Sequence, residues 1–308
     1  MKNITQNFEY FAPKTVEDAL SLLSRYGDKC RILAGGQDLL LLMRQDLIAP
    51  EYVIDIKGIS DLDYINFDDK EDLRIGALTT HRTLEKSTLV KNRFSILSEI
   101  EQNLGSVELR NCGTIGGSLC IGRPCGDPAP LLIVLNGRIK IASLRGERIV
   151  SVESFNLAPF EVDLRPDELL VEIQVPNSPP RNGVSYKKFS QLEEDCALTA
   201  AAVSITLNHE KNICDDIKIA LSMAPTAMRA KKSEEVLKGK EINANLLAEA
   251  GQVASEEAGT LTEQASKGYR KKLVRILSKE VSDQYRRELM KVLVKRAGEE
   301  ALERAKRA

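Results

Sequence analysis

Two glycine-bearing bends carry the chemistry that can be read from this chain. One lies in Asn111–Pro130, NCGTIGGSLCIGRPCGDPAP, which holds five glycines and three prolines in twenty residues. Its run Thr114-Ile115-Gly116-Gly117-Ser118 sets two hydroxyls around a bare double glycine. The other is Ala34-Gly35-Gly36-Gln37-Asp38-Leu39, again a double glycine after an apolar run. Glycine costs backbone entropy and is tolerated where the chain turns sharply or another body comes close. Successive N–H groups in such a turn point one way and form an anion-binding nest. The pair of bends predicts one extended, phosphate-bearing ligand held at two places.

Other routes to chemistry are missing. No G-x-G-x-x-G follows a strand and no G-x-x-x-x-G-K-[ST] occurs, so neither dinucleotide fingerprint nor P-loop is present. No G-x-S-x-G elbow exists. The two histidines, His81 and His209, lack zinc-ligand spacing and read as surface or internally satisfied residues. A chain without its own acid–base or nucleophile set fits chemistry carried by a bound cofactor.

The elements that must position the bends follow from periodicity. Residues 1–55 read as a β-α-β-α-β unit. Thr15 caps a helix through Thr-Val-Glu-Asp, and Gly27 stops it. A buried strand then runs into the first bend. In the next unit Leu73–Ile75 is a strand, and 94–104 is an amphipathic helix before the second bend. Leu131–Leu135 is apolar and leads to Asn136-Gly137, a hairpin signal. Residues 169–222 read as antiparallel strands, and the remainder as helices.

Composition sets the outer bounds. With 308 residues, 43% of them hydrophobic, the chain is globular with two or three domains. Lys+Arg of 44 against Asp+Glu of 45 gives no basic excess for nucleic acid or an anionic membrane. No apolar run is long enough to span a bilayer and no signal-peptide core opens the chain, so a soluble, cytoplasmic protein is expected.

The ordered set Phe8-x-Tyr10-x-x-Pro13, Ala34-Gly35-Gly36-x-Asp38-Leu39, Ile75-Gly76-Ala77-x-Thr79-Thr80, Arg110-Asn111-x-Gly113-Thr114-Ile115-Gly116-Gly117, Asp127-Pro128-x-Pro130 and Tyr285-Arg286-Arg287 resembles the FAD-binding subunit of the molybdenum hydroxylases. That family includes the carbon monoxide dehydrogenase medium subunit, the xanthine dehydrogenase FAD subunit and the 4-hydroxybenzoyl-CoA reductase flavin subunit. The resemblance implies an α+β fold: a PCMH-type FAD-binding half of two α/β subdomains (1–57 and 58–168), then a C-terminal domain (169–308) of three antiparallel strands and helices. It implies FAD contacts at Ile32, Leu33, Ala34, Gly35, Gly36, Gln37, Asp38 and Leu39, and at Thr114, Gly116, Gly117 and Ser118. Asp127 matches an acid beside a ribose or ribityl hydroxyl. Leu104, Leu170 and Lys187 match positions near the flavin ring. The implied function is electron transfer through FAD. The implied partners are a molybdopterin-containing large subunit and a [2Fe–2S] small subunit as separate chains, with NAD(H), a quinone, oxygen or another carrier as acceptor. A stand-alone FAD oxidoreductase of the enolpyruvyl-UDP-sugar reductase kind and a non-enzymatic flavin module are the alternatives.

Some positions depart from the family pattern. Ser118 stands where relatives usually carry Asn, and Gln191-Leu192 where paired arginines are common. Extra residues, including Tyr269-Arg270, precede the last helix. Cys112, Cys120 and Cys125 crowd the second bend, but an iron–sulfur cluster usually takes four thiolates. They read as small loop thiols, with no metal expected.

Overall fold

The computed structural model describes residues 4, 6–67, 72–124, 126–191, 197–208, 213–223, 226–258 and 282–308. The first bend sits at the end of a small parallel sheet. Its strands are β1 (Glu9–Phe11), β2 (Cys30–Leu33) and β3 (Tyr52–Asp55), in the order β1-β3-β2. Helix α1 (Val16–Tyr26) crosses between β1 and β2. Thr15 Oγ1 accepts the Asp18 N–H at 3.1 Å to start it, and Gly27, at φ 51°, ends it. Ala19, Leu20 and Leu23 bury its apolar face on Ile54 and Ile56. The chain leaves β2 straight into the first bend and then α2 (Leu39–Arg44). The carboxyl end of a parallel strand is where α/β sheets bind ligands.

The second sheet is antiparallel, in the order β4-β5-β10-β6-β7. Its strands are β4 (Ile65–Asn66), β5 (Leu73–Gly76), β6 (Arg138–Ser143), β7 (Gly146–Ser151) and β10 (Leu169–Val175). Between β5 and β6 run α3 (His81–Lys86), α4 (Thr88–Arg93), α5 (Ser95–Gln102), α6 (Val107–Cys112), α7 (Ile115–Cys120) and α8 (Pro128–Val134). After β7 come a short helix, α9 (Val152–Phe155), and a small hairpin of β8 (Asn156–Ala158) and β9 (Glu161–Val162).

Two sequence readings change here. Strand β10 was expected to open the C-terminal domain at 169. It lies instead at the centre of the second sheet, paired with β5 and β6 and buried throughout. Asn136-Gly137 was expected to turn a hairpin. It ends α8, with Asn136 at φ 57° and the Gly137 N–H donating to Leu132 O at 2.6 Å. That is a helix C-cap. The apolar run Leu131–Leu135 is buried on all sides between two sheets, so no periodicity marked it as helical. The true hairpin joins β6 to β7, turning at Gly146 with φ 124°.

The C-terminal sheet has the order β11-β12-β13-β14: Asn182–Phe189, Thr199–Leu207, Cys214–Ser222 and Ala227–Arg229. The fourth strand, β14, adds to the three expected. One face covers α8 through Val184, Ala202, Ala220 and Ala227. The other is covered by α10 (Lys231–Leu237), α11 (Ala244–Glu257) and α12 (Asp283–Arg307).

Small residues let α12 lie close to β11. A Cβ on Gly183 would stand 2.0 Å from Ala301 O and 2.3 Å from Ala305 N. Both are backbone atoms within a helix, so neither can yield alone. Gly183→Ala is therefore expected to destabilise the C-terminal half by about 1–3 kcal/mol or more, the range for overpacking. Thermal unfolding checks this; an unchanged midpoint would mean that α12 rides further from the sheet.

Candidate functional site

The first bend leaves its amides open. Gly36 takes φ 75°, and Leu40 N–H donates to Gly36 O at 3.1 Å as the chain enters α2. Asp38 stands at the N-cap, but its side chain does not cap the helix. It pairs with Arg123 across the cleft. Among the described residues no protein acceptor takes the N–H of Gly35, Gly36, Gln37, Asp38 or Leu39. Amides left free at such a turn seek an anion or water.

The second bend behaves differently. Thr114 is the N-cap of α7, and its Oγ1 accepts the Gly117 N–H at 3.2 Å. The N–H of Ile115 goes to Thr79 O, that of Gly116 to Ala77 O, and that of Ser118 to Thr114 O. These four amides are therefore spent within the protein, those of Ile115 and Gly116 on the turn after β5 and those of Gly117 and Ser118 on Thr114. The double glycine serves contact instead: a Cβ on Gly116 would lie 2.6 Å from Ala77 O. Thr114 and Ser118 of this bend line the cleft; the Thr114 hydroxyl oxygen holds the Gly117 N–H and the Ser118 hydroxyl meets His81 Nε2.

The bends touch. A Cβ on Gly35 would lie 2.2 Å from Cys112 O and 2.8 Å from Gly113 Cα. They share the wall of one cavity of ≈ 1500 Å³. Ile32, Ala34, Gly35, Gly36, Gln37, Asp38 and Leu39 line it on one side, and Thr114, Gly116, Gly117 and Ser118 on the other. Leu104, Asp127 and Leu170 also line it. Asp127 Oδ1 accepts from Tyr186 Oη at 2.7 Å, and Oδ2 from Lys188 Nζ at 2.9 Å. Each oxygen keeps a lone pair for a further hydroxyl.

Two residues inferred from resemblance lie elsewhere. Leu33 turns into the core with Met43 and Val53. Lys187 turns away to Glu300 on α12, at 2.5 Å. Its neighbour Lys188 faces Asp127, because successive strand residues point to opposite faces.

Three further residues shape the site, and the sequence reading assigned none of them a role there. Phe160 lines the cavity at φ 60°, held by its N–H to Gly122 O at 2.7 Å. Left-handed backbone is unfavourable for a bulky residue and marks positions held by their surroundings. Arg110 is buried; its Nε bonds Glu85 Oε2 at 3.0 Å, and its Nη1 donates to Leu104 O and Gly105 O. It therefore ties α3 to the turn ahead of the second bend. His81 is fully buried, with Nδ1 at 2.7 Å from Glu101 Oε2 and Nε2 at 2.7 Å from Ser118 Oγ. Burial opposes its charge, but the Glu101 carboxylate outweighs that and holds the imidazole pKa above the ordinary value.

The cysteines divide. Cys112 is exposed, whereas burial pushes the Cys120 thiol up to about 12. Among the described residues no group of three or more His, Cys, Asp and Glu side chains is placed to hold a metal. Cys125, Leu192, His209, Tyr269 and Arg270 lie outside the described residues. Among the described residues no helix is long and apolar enough to cross a membrane.

Residues 6–178 match the family described as FAD binding domain in molybdopterin dehydrogenase. Residues 184–283 match CO dehydrogenase flavoprotein C-terminal domain. The chain is 34% identical over 263 residues to the carbon monoxide dehydrogenase medium chain of Hydrogenophaga pseudoflava, covering 85% of this chain and 89% of that one. It is 32% identical over 273 residues to 6-hydroxypseudooxynicotine dehydrogenase complex subunit alpha of Paenarthrobacter nicotinovorans, covering 88% and 92%. A solved structure of carbon monoxide dehydrogenase from Hydrogenophaga pseudoflava superimposes with a TM-score of 0.87 at 30% identity, covering 97% and 98%.

Proposed function

The chain belongs to the FAD-binding medium subunits of the molybdenum hydroxylases, and on that premise we propose that it accepts electrons from a separate partner chain and passes them through FAD to an acceptor. The partners are a [2Fe–2S] small subunit that delivers electrons and a molybdopterin-containing large subunit that oxidises substrate. NAD⁺, a quinone, oxygen or a carrier receives them. FAD, when bound, supplies the exchange between one-electron and two-electron carriers.

One observation carries the reading: Gly35–Leu39, whose amides have no protein acceptor among the described residues, line the same cavity as Thr114 and Ser118. These donors suit a diphosphate, and Asp127, an acceptor, suits a sugar or ribityl hydroxyl. The apolar wall of Leu104, Leu170 and Phe160 suits a flat ring and excludes water from it. Within this chain the residues bind, orient and desolvate. Among the described residues, those lining the cavity form no acid–base or nucleophile set of their own. Substrate choice then rests with the large subunit, in keeping with relatives named for carbon monoxide and for 6-hydroxypseudooxynicotine.

The test is reconstitution of the chain with FAD, followed by anaerobic mixing with a reduced [2Fe–2S] small subunit of the family. Bleaching of the flavin absorbance is expected. A flavin that stays oxidised beside a reduced cluster, or a chain that turns over substrate alone, would overturn the proposal.

A further inference from the structure

We infer that His81 is a positioning residue that sets the direction of the Ser118 hydroxyl proton, so that Ser118 donates into the cavity to an anionic oxygen of the cofactor. The inference rests on the FAD reading above. Its geometry is a chain of three groups on three helices, Glu101 on α5, His81 on α3 and Ser118 on α7, with both contacts at 2.7 Å. Glu101 and His81 are almost wholly buried, and Ser118 stands at the cavity wall.

The direction follows from donor and acceptor counting. A carboxylate only accepts, so Nδ1 carries a proton toward Glu101. If the imidazole is charged, Nε2 also carries one and donates it to Ser118 Oγ. The hydroxyl's own proton must then point elsewhere, and Ser118 lines the cavity. If the imidazole is neutral, Nε2 is bare and Ser118 must donate back to it. Ser118 then offers the cavity only lone pairs, which repel an anion.

The surroundings favour the charged form. Glu101 from α5 and Asp127 at the start of α8 act to keep the proton, while burial and Arg110 from α6 act against it; the balance lies on the raised side. Glu85, on the same helix as His81, is occupied by Arg82 and Arg110. A raised folded value means that the donor state is complete at low pH and is lost as pH rises through it.

The test is FAD affinity, read by quenching of FAD fluorescence on the full chain, between about pH 6 and about pH 9, the range in which histidine titrates. Wild type is expected to weaken by about tenfold across the range, the order for one hydrogen bond to a charged group. Ser118→Ala should bind weakly and without slope. His81→Gln, whose amide donates at every pH, should bind without slope and more tightly than Ser118→Ala. A Ser118→Ala variant that keeps the wild-type slope, or a wild type that binds tightly with none, would overturn the inference and leave the FAD reading intact. Absence of FAD binding by wild type at every pH would overturn both.

Discussion

Gly35→Ala is expected to purify with little or no FAD while remaining folded. The added methyl has nowhere to go. It meets Cys112 O at 2.2 Å, Gly113 Cα at 2.8 Å and Cys112 C at 2.9 Å, all backbone of the opposing bend. That bend is itself pinned, since His81 N–H donates to Gly113 O and Ile115 N–H to Thr79 O. Relief therefore comes from separating the bends by about an ångström, a displacement large enough to cost about a hundredfold where geometry is demanding. We expect FAD affinity to fall by about that factor. Gly126→Ala is the matched control: it also lines the cavity, but its Cβ would meet nothing nearer than Arg123 O at 3.4 Å, an ordinary contact. It should keep its FAD. Equal losses from both substitutions would show that the contact between the bends is not what holds the cofactor.

Asp127→Ala should produce the second large effect, on stability rather than affinity, and in the cofactor-free protein. Asp127 precedes α8, while Tyr186 and Lys188, which hold its two oxygens, belong to β11 of the C-terminal sheet. The Lys188 side chain is only 13% exposed. Removing its carboxylate strands a cation at the junction of the two halves. Breaking a buried pair from one side costs about 3–5 kcal/mol. The remaining contact, Lys188 Nζ to Asn103 O at 2.5 Å, supplies no charge. Asp127→Asn keeps an acceptor oxygen and should lose less. Urea unfolding of the flavin-free chain measures both. A loss below about 1 kcal/mol for the alanine variant, the scale of exposed pairs, would mean that Lys188 finds solvent.

Much of the site was legible because glycine is legible. Two double glycines at strand or helix ends announce close approach, and the structure brings the bends that carry them into contact through Gly35, Cys112 and Gly113. Their donors were not legible. Thr114 caps a short helix whose first amides go to Thr79 O and Ala77 O, and no residue pattern distinguishes amides spent within the protein from amides left for a ligand. The phase of β11 was also hidden: Lys187 and Lys188 are adjacent and alike, and only the packing of α12 decides which one turns inward. His81 did leave a signal. Glu101 falls on the apolar face of α5 beside Leu97 and Ile100, and a carboxylate there must find a buried partner. Strand β10 left none, since membership of a sheet is decided by distant partners and not by its own seven residues.

The central claim is that free amides at the first bend hold the diphosphate of FAD. Amide hydrogen exchange with and without FAD tests it directly. The amides of Gly35–Leu39 are expected to exchange freely in the cofactor-free chain and to become protected when FAD binds. Those of Ile115–Ser118, already bonded within the protein, should change far less. Saturating FAD with no gain of protection at Gly35–Leu39 would contradict the account.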